Sequence, residues 1–263
     1  MQLVANDIGI RLGGRAVLDG VNIAVEGGEL VGLIGPNGAG KTSLLRALAH
    51  LAPPATGRVL CDGRPLDEFP PIERARRTAY LAQGAEVHWP LTVEKLVALG
   101  RLPHRGSWGG ESETDTAAIA RAMQATDVGR FRGRTIATLS GGERMRVMLA
   151  RALAVEAPIL LADEPVAALD PYHQLQVMTV LKSTAGRGTA VVAVLHDLSL
   201  ATRFCDRLVL LHGGRVLAVG RPAEVLGDEN LRTAYAVGFA RGRRDEQEFL
   251  VAWNSLQPQD IGR

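Results

Sequence analysis

The sequence contains only two cysteines, Cys61 and Cys205. They lie far apart in the chain and match no spacing known for a metal site or a redox motif. This use of cysteine excludes a disulfide-stapled scaffold and is typical of reduced, partly buried thiols in a cytoplasmic protein.

Long apolar runs and an excess of charge of either sign are also missing. No run of about 18 apolar residues is present, which excludes a typical membrane-spanning helix. Residues 1–7 lack a basic segment followed by a long apolar one, so we expect no signal peptide. The net charge is only +2, so nothing in the composition indicates a polyanionic partner, and we expect no nucleic acid. A length of 263 residues fits one large domain or two closely joined ones.

One stretch dominates what is present: residues 35–42 read GPNGAGKT and fit the phosphate-binding pattern G-x-x-x-x-G-K-[ST]. The apolar run 30–34 before it predicts a buried strand, and the leucines at 44, 45, 48 and 51 predict a helix after it. A chance glycine-rich turn is the alternative, and this flanking pattern argues against it. The candidate nucleotide-binding residues here are Gly35, Pro36, Asn37, Gly38, Ala39, Gly40, Lys41, Thr42 and Ser43.

The chemistry of phosphate binding explains these residue types. Glycines allow a tight turn in which successive backbone N–H groups point at phosphate oxygens, and the helix N-terminus adds partial positive charge. Lys41 is expected to reach the β- and γ-phosphates, and the Thr42 hydroxyl is expected to coordinate Mg²⁺.

A second apolar run, ILLA at 159–162, ends in Asp163 and Glu164. Ligands bind beyond the carboxyl ends of parallel strands, so both carboxylates are expected beside the phosphates. We expect Asp163 to hold Mg²⁺ and Glu164 to polarise an attacking water as a general base. The alternative is a helix start with an acidic first turn. It is disfavoured by the phosphate-binding loop at 35–42, which is called the P-loop below.

The stretch LSGGE at 139–143 allows two interpretations. Ser-x-x-Glu is a capping box, which indicates a well-formed helix start. Ser140, Gly141 and Gly142 at a helix N-terminus would equally form a second phosphate site, on another face of the nucleotide. The residues alone leave both interpretations open.

The order of patterns predicts an α/β fold with a parallel-sheet core, an N-terminal antiparallel β part and a helical subdomain. Short strands around glycine turns precede the P-loop, and His212-Gly213-Gly214 marks a later hairpin. Helices are predicted over 93–100, 111–125, 142–154 and 172–183, with a loop over 101–110. The expected divisions are 1–88 and 156–226 for the two parts of the P-loop core, 89–155 for the helical subdomain and 227–263 for a C-terminal extension. Within that extension, residues 241–244 are expected to be a solvated surface segment.

Taken together, GPNGAGKT, LSGGE, ILLADEP and a later histidine at a strand end resemble the nucleotide-binding subunit of an ATP-binding-cassette transporter, over most of residues 1–226. The resemblance implies a RecA-like core and hydrolysis of ATP with Mg²⁺. It implies that Gln83 touches Mg²⁺ or water, that His196 contacts the γ-phosphate, and that Asp170, in Ala168-Leu169-Asp170, acts across a dimer. It also implies that Ser140, Gly141 and Gly142 cap the ATP held by a second copy.

One position departs from the family pattern. Members commonly carry an aromatic residue on the N-terminal strand, where it stacks on adenine, and the matching position here is Leu12, just before Gly13-Gly14. Leu12 can supply apolar contact only. Arg11 or Arg15 could face the base instead, through a cation–π interaction.

Finer motifs resemble importers of iron chelates, haem and vitamin B12. They are WPLTV at 89–93, ALGRLPH at 98–104, LDPYHQ at 169–174 and HDLSLA at 196–201. The resemblance implies a homodimer at the cytoplasmic face of the inner membrane, bound to separate permease subunits and served indirectly by a substrate-binding protein. Trp89, Val93 and Leu96 are candidates for the groove that receives the permease, with ordinary core as the alternative. An importer of another cargo, a non-transport ABC ATPase acting on DNA or ribosomes, and a P-loop kinase are the competing functions.

Overall fold

A computed structural model describes residues 1–84, 89–106, 110–167, 169–245 and 247–255. Ala168, named above with Asp170, lies outside the described residues, as do 107–109 of the predicted loop and the end of the C-terminal extension. Within the described part of the chain, no helix is long and apolar enough to cross a membrane.

Strands and helices alternate through most of the chain. The strands are β1 (Gln2–Leu12), β2 (Arg15–Glu26), β3 (Leu30–Ile34), β4 (Thr56–Cys61), β5 (Arg64–Pro65), β6 (Thr78–Leu81), β7 (Ile159–Ala162), β8 (Ala190–Val194), β9 (Arg207–His212), β10 (Arg215–Gly220), β11 (Val237–Arg244) and β12 (Gln247–Ser255). The helices are α1 (Lys41–Leu48), α2 (Pro71–Arg77), α3 (Val93–Ala98), α4 (Glu113–Ala125), α5 (Gly141–Ala154), α6 (Pro171–Gly186), α7 (Leu198–Phe204), α8 (Pro222–Val225) and α9 (Asp228–Tyr235).

A six-stranded sheet in the order β10-β9-β3-β8-β7-β6 forms the centre of the molecule. Its pairs are parallel except for the antiparallel pair β9–β10, which is the hairpin predicted around Gly213. The strands β3, β7 and β8 are buried along their whole length, because helices or a second sheet cover both faces. The predicted parallel core is therefore confirmed.

Alternate residues of these strands face two separate cores, as the period of a strand requires. On β8, Val192 and Val194 pack with α1 and the N-terminal sheet, whereas Val191 and Ala193 pack with the helices on the other side. Leu160 and Leu161 of β7 divide in the same way. Both faces being apolar explains why these strands appear in the sequence as unbroken hydrophobic runs.

The N-terminal part is a four-stranded antiparallel sheet in the order β2-β1-β4-β5. The predicted antiparallel β part is therefore confirmed. It lies over α1 and shares one core with that helix and with one face of the parallel sheet. Strands β4 and β5 follow α1 in the chain, and β4 pairs with β1.

The helical subdomain consists of α3, α4 and α5, near the predicted positions. The loop predicted over 101–110 is wrong in its first part, because a 3-10 helix runs over Leu99–His104. Arg101 is the physical reason. Its buried guanidinium donates to Asp115 at 2.8 Å and to the carbonyl of Ala154 at 2.8 Å, which fixes this turn against α4 and α5.

The C-terminal extension has a defined fold that its sequence did not indicate. Helix α9 is followed by the hairpin β11–β12, in which Leu250 is buried. Residues 241, 243 and 244 are exposed, as expected of a surface segment, but they form the strand β11. Arg241 also donates to Asp228 at 2.9 Å, so this strand is attached to α9.

Gly57 provides a test of the N-terminal sheet. Its φ is +77°, and a Cβ there would lie 2.2 Å from the carbonyl oxygen of Asp7, where β1 bulges. Gly63 has nearly the same φ, +79°, with no atom within 4 Å of such a Cβ. We expect Gly63→Ala to cost about 1 kcal/mol of unfolding free energy, through φ alone. Gly57→Ala should cost at least about 3 kcal/mol, because the backbone must also move. Urea unfolding measures both, and equal losses would contradict the clash.

Candidate nucleotide site

The P-loop connects the end of β3 to the start of α1 through glycines in conformations that other residues avoid. Gly35 has a φ of +142°, and a Cβ there would lie 2.2 Å from the carbonyl oxygen of Leu211. Gly40 is the N-cap of α1 with a φ of +96° and makes no side-chain cap hydrogen bond. The first N–H groups of α1 are therefore available to an anion rather than bound to a capping side chain.

Lys41 is held over this loop. Its Nζ donates to the carbonyl of Gly35 at 2.7 Å and to that of Pro36 at 2.9 Å, and only 6% of the residue is exposed. Burial lowers the pKa of the Lys41 ammonium, and the nearby carboxylates of Glu164 and Asp163 oppose that shift. The two acids thus favour the charged form of Lys41 in a partly desolvated position.

Asp163 follows β7 directly and is almost completely buried, with 1% exposed. Thr42 Oγ1 donates to its Oδ1 at 3.0 Å, and the Tyr80 hydroxyl donates to its Oδ2 at 3.1 Å. Burial raises the pKa of Asp163, although these two hydrogen bonds lower it. Burial, followed by the charge of Asp163, raises the pKa of Tyr80 to about 12.

Tyr80 is a site residue that the sequence reasoning missed. It lies on β6, which pairs in parallel with β7, and Tyr80 is opposite Leu161, two residues before Asp163. The sequence held a usable signal, because Tyr80 lies only three residues before Gln83, which was already a candidate site residue. A phenol on the strand next to an acidic strand end is well placed to hydrogen-bond the carboxylate.

The Glu164 carboxylate is held at both oxygens. Gln83 Nε2 donates to Oε2 at 2.6 Å, and His196 Nε2 lies 2.6 Å from Oε1. Glu164 itself has a left-handed φ of +50°, which is costly for a residue other than glycine. The fold therefore brings together three side chains, Gln83, Glu164 and His196, that were named from separate stretches of the sequence.

An open cleft of about 210 Å³ joins Glu164 and His196 to the P-loop, and Gln83 is not among its lining residues. Besides P-loop residues, Glu164 and His196, its lining includes Val17 of β2, which the sequence reasoning also missed. Leu12 is not among the lining residues of this cleft. It ends β1 and is 58% exposed, and its expected contact with the base stays a prediction.

Ser140 is the N-cap of α5 and forms the predicted capping box with Glu143. The Ser140 amide donates to Glu143 Oε2 at 2.9 Å, and the Glu143 amide donates to Ser140 Oγ at 3.3 Å. Gly141 and Gly142 open the helix, and within the described residues neither they nor Ser140 line the P-loop cleft. Asp170 caps α6 and is also absent from that lining, accepting a hydrogen bond from the His173 amide at 3.0 Å. A phosphate bound by LSGGE would thus lie outside this chain's own cleft.

Two of the three residues proposed for the permease groove are core residues. Val93 is 0% exposed and Leu96 is 2% exposed, and both pack in the core that includes α5. The prediction was wrong for this pair, because α3 turns its apolar face inward. Trp89 differs, with 75% of its surface exposed.

The residues present fit a magnesium nucleotide. The P-loop offers a glycine-rich backbone cradle, a helix N-terminus and one ammonium, which together suit a polyphosphate. Thr42 lines the cleft, and its hydroxyl lies 3.0 Å from a carboxylate oxygen of Asp163 behind it. Mg²⁺ prefers such hard oxygen ligands together with phosphate oxygens.

Comparison with known proteins supports a nucleotide-binding role for this site. The family model described as ABC transporter matches residues 18–167, more than half of the chain. The chain belongs to the ABC transporter family, and it is therefore an ATPase that binds ATP.

Individual relatives are similar over most of their length. The chain is 48% identical to the hemin import ATP-binding protein HmuV of Streptomyces coelicolor, over 88% of this chain and 82% of that protein. It is 44% identical to the cobalamin import ATP-binding protein BtuD of Halobacterium salinarum, over 92% of this chain and 61% of that protein.

Solved structures share the fold. A dimeric bacterial ABC transporter cassette superposes with a TM-score of 0.74 at 29% identity, covering 84% of this chain and 98% of its own. An inward-facing, putative metal-chelate type ABC transporter superposes with a TM-score of 0.82 at 21% identity, covering 98% of both chains.

The buried Asp163 predicts a pH-dependent effect on stability. Its pKa in the folded protein lies above the ordinary value of 3.8, so the folded state loses stability relative to the unfolded chain as the pH rises through that raised pKa. We expect Asp163→Asn to raise the urea midpoint at pH 7 without nucleotide, and the gain should shrink as the pH is lowered toward 4. Exposed Asp67→Asn is the matched control. A midpoint at or below that of the parent at pH 7 would contradict this reading of the buried carboxylate.

Proposed function

We propose that the chain is the ATP-hydrolysing subunit of an importer of metal chelates, with haem as the first candidate cargo. The observation that carries the ATPase mechanism is the Glu164 carboxylate, held by Gln83 and His196 in the cleft of the P-loop. A carboxylate oriented in this way beside a phosphate cradle is suited to act as a general base toward water.

Each residue then has a defined role toward MgATP. The P-loop amides from Gly35 to Ser43 and the Lys41 ammonium bind the phosphates. Thr42 and Asp163, with Gln83, would hold Mg²⁺, which would draw charge from the phosphate oxygens. Glu164 takes a proton from the attacking water, and His196 orients toward the γ-phosphate. Val17 contributes apolar surface to the cleft on the side of β2, and Leu12 contributes to base contact.

Two copies of the chain complete two sites. Ser140, Gly141 and Gly142 do not line the cleft of their own chain, which supports a role toward the nucleotide of a second copy. The solved dimeric cassette is consistent with that arrangement. Asp170, at the N-terminus of α6, contacts the partner copy in this proposal. ATP favours the closed dimer because each ATP contacts both copies only in that state.

The cargo is inferred from the relatives. The hemin importer subunit of Streptomyces coelicolor is 48% identical, and the Pseudomonas aeruginosa protein of the same name is 43% identical over 93% of this chain. The cobalamin importer subunit at 44% identity makes cobalamin the second candidate. Haem and cobalamin are both metal-bearing macrocycles, so one transporter architecture suits either.

In this proposal the chain is peripheral at the cytoplasmic face of the inner membrane, where it drives separate permease subunits. A substrate-binding protein delivers the cargo from the other side. Exposed Trp89, six residues after Gln83, is the remaining candidate from the predicted permease groove.

Mixing two inactive variants tests the shared sites. Glu164→Gln should bind ATP but hydrolyse it at least about 100-fold more slowly, because the base is lost. Ser140→Arg should also be inactive, because a bulky cation blocks the partner's phosphate. An equimolar mixture, combined before ATP is added, should recover up to about a quarter of the parental rate, since half of the dimers are mixed and each holds one intact site.

The mixture also separates competing functions. A P-loop kinase that works as a single chain would recover nothing on mixing. Full activity of Ser140→Arg alone would rule out the two-copy site altogether.

Growth on single nutrient sources tests the cargo. A deletion strain should lose growth on haem as the sole iron source and keep growth on a ferric siderophore and on limiting cobalamin. The parental chain should restore growth, and the Glu164→Gln chain should not. Loss on cobalamin alone would replace haem by the second candidate. Unchanged growth on all three sources would contradict this cargo class and would leave an importer of another cargo or a non-transport ABC ATPase.

A further inference from the structure

The C-terminal unit, α9 with the hairpin β11–β12, is attached to the element that follows His196. Helix α7 begins at Leu198, two residues after that histidine, and Asp197 caps it by accepting from the amides of Ser199 and Leu200 at 2.8 and 3.0 Å. Because His196 lies in the short link between β8 and α7, the placement of α7 sets where the His196 ring points.

Strand β12 holds α7 through a reciprocal pair of hydrogen bonds. The Leu250 amide donates to Ser199 Oγ at 3.1 Å, and Ser199 Oγ donates to the Leu250 carbonyl at 2.7 Å. The Leu250 side chain is 6% exposed and packs in the same core as Leu198, Leu200 and Ala201 of α7. The hairpin therefore fixes α7 by both packing and directed hydrogen bonds.

The hairpin is itself anchored on its other side. Arg241 of β11 donates to Asp228 at 2.9 Å and to the carbonyl of Leu226. At the end of α9, the Tyr235 ring meets the Phe239 ring of β11 edge to face, with 6.2 Å between the ring centroids. Burial raises the pKa of Tyr235 to about 12. The terminal unit is thus packed together internally and attached to the helix after His196.

The next residue of β12 lies on the other face of the strand. Val251 follows Leu250 directly and is 47% exposed. Adjacent residues of one strand therefore separate the contact with α7 from the solvent face, which supplies a matched pair of positions for an experiment.

We propose that the hairpin β11–β12 is a positioning element for ATP hydrolysis: Leu250 and Ser199 hold α7 so that His196 Nε2 meets Glu164 Oε1 in the P-loop cleft. The inference rests on the role proposed above for His196. Without the hairpin contact, α7 can shift and the His196–Glu164 distance of 2.6 Å is no longer enforced. Binding of ATP by the P-loop does not require this contact, so the effect falls on the chemical step.

Two variants and two controls test this in the full chain. Ser199→Ala removes the hydroxyl shared with Leu250, and Leu250→Ala removes the packed side chain. Thr202→Ala removes a hydroxyl of the same helix that donates to the Leu198 carbonyl, and Val251→Ala truncates the exposed neighbour. We expect kcat to fall about three- to tenfold in the first pair, with KM for ATP within about twofold of the parental value, and the controls to match the parent.

A second readout is independent of turnover. In protein with 13C-labelled histidine rings, the His196 resonance, assigned by its loss in His196→Ala, should shift in Ser199→Ala and Leu250→Ala. The resonances of His50, His104 and His212 should stay in place, because those rings lie elsewhere in the fold. If Leu250→Ala fails to fold, Ser199→Ala, which removes a single hydroxyl, decides the outcome.

The results separate this inference from the proposed function. Folded variants with parental kcat and an unshifted His196 resonance would overturn the positioning role. Parental ATPase activity in His196→Ala would instead overturn the role given to His196 in hydrolysis, while the resonance would still report whether the hairpin positions the ring.

Discussion

Parallel pairing at the centre of the large sheet is the constraint on which the nucleotide site depends. Leu81, Ala162 and Ala193 lie side by side in register at the carboxyl ends of β6, β7 and β8. Each chain segment that leaves this edge delivers at least one functional side chain within the next few residues: Gln83 after β6, Asp163 and Glu164 after β7, and His196 after β8. A slip of one residue in any pair would turn its strand's apolar side chains to the wrong core and move the polar groups away from the cleft.

The site balances charges that would each be costly to bury alone. Asp163 is nearly inaccessible to solvent and accepts hydrogen bonds from Thr42 and Tyr80. Lys41 is also buried, and the neighbouring carboxylates favour its charged form. The raised pKa of Asp163 and the positive φ of Glu164 are local costs at the site, which the two apolar cores offset elsewhere. Such costs are typical of positions selected for binding and chemistry rather than for stability.

The C-terminal unit extends this scaffold. Its hairpin β11–β12 pairs antiparallel from Val237 to Ser255 and packs on α7 through Leu250. Its sequence gave little indication of this, because β11 carries arginines and glycines with no clear alternation. What stabilises the hairpin is tertiary: Leu250 packed on α7 and Arg241 bound to Asp228.

Local sequence pattern was sufficient to predict the P-loop, the buried strands, the capping box at Ser140 and the hairpin at Gly213. The reason is that hydrophobic period, glycine conformation and helix capping each depend on only a few neighbouring residues. It was also sufficient for the family, since several motifs occur in a fixed order. Only the tertiary structure decided that Gln83 and His196 both hold Glu164, that Tyr80 and Val17 join the site, and that Val93 and Leu96 are core. Those outcomes depend on which strands are neighbours and which helix face is covered, and both are set by contacts between residues far apart in the chain.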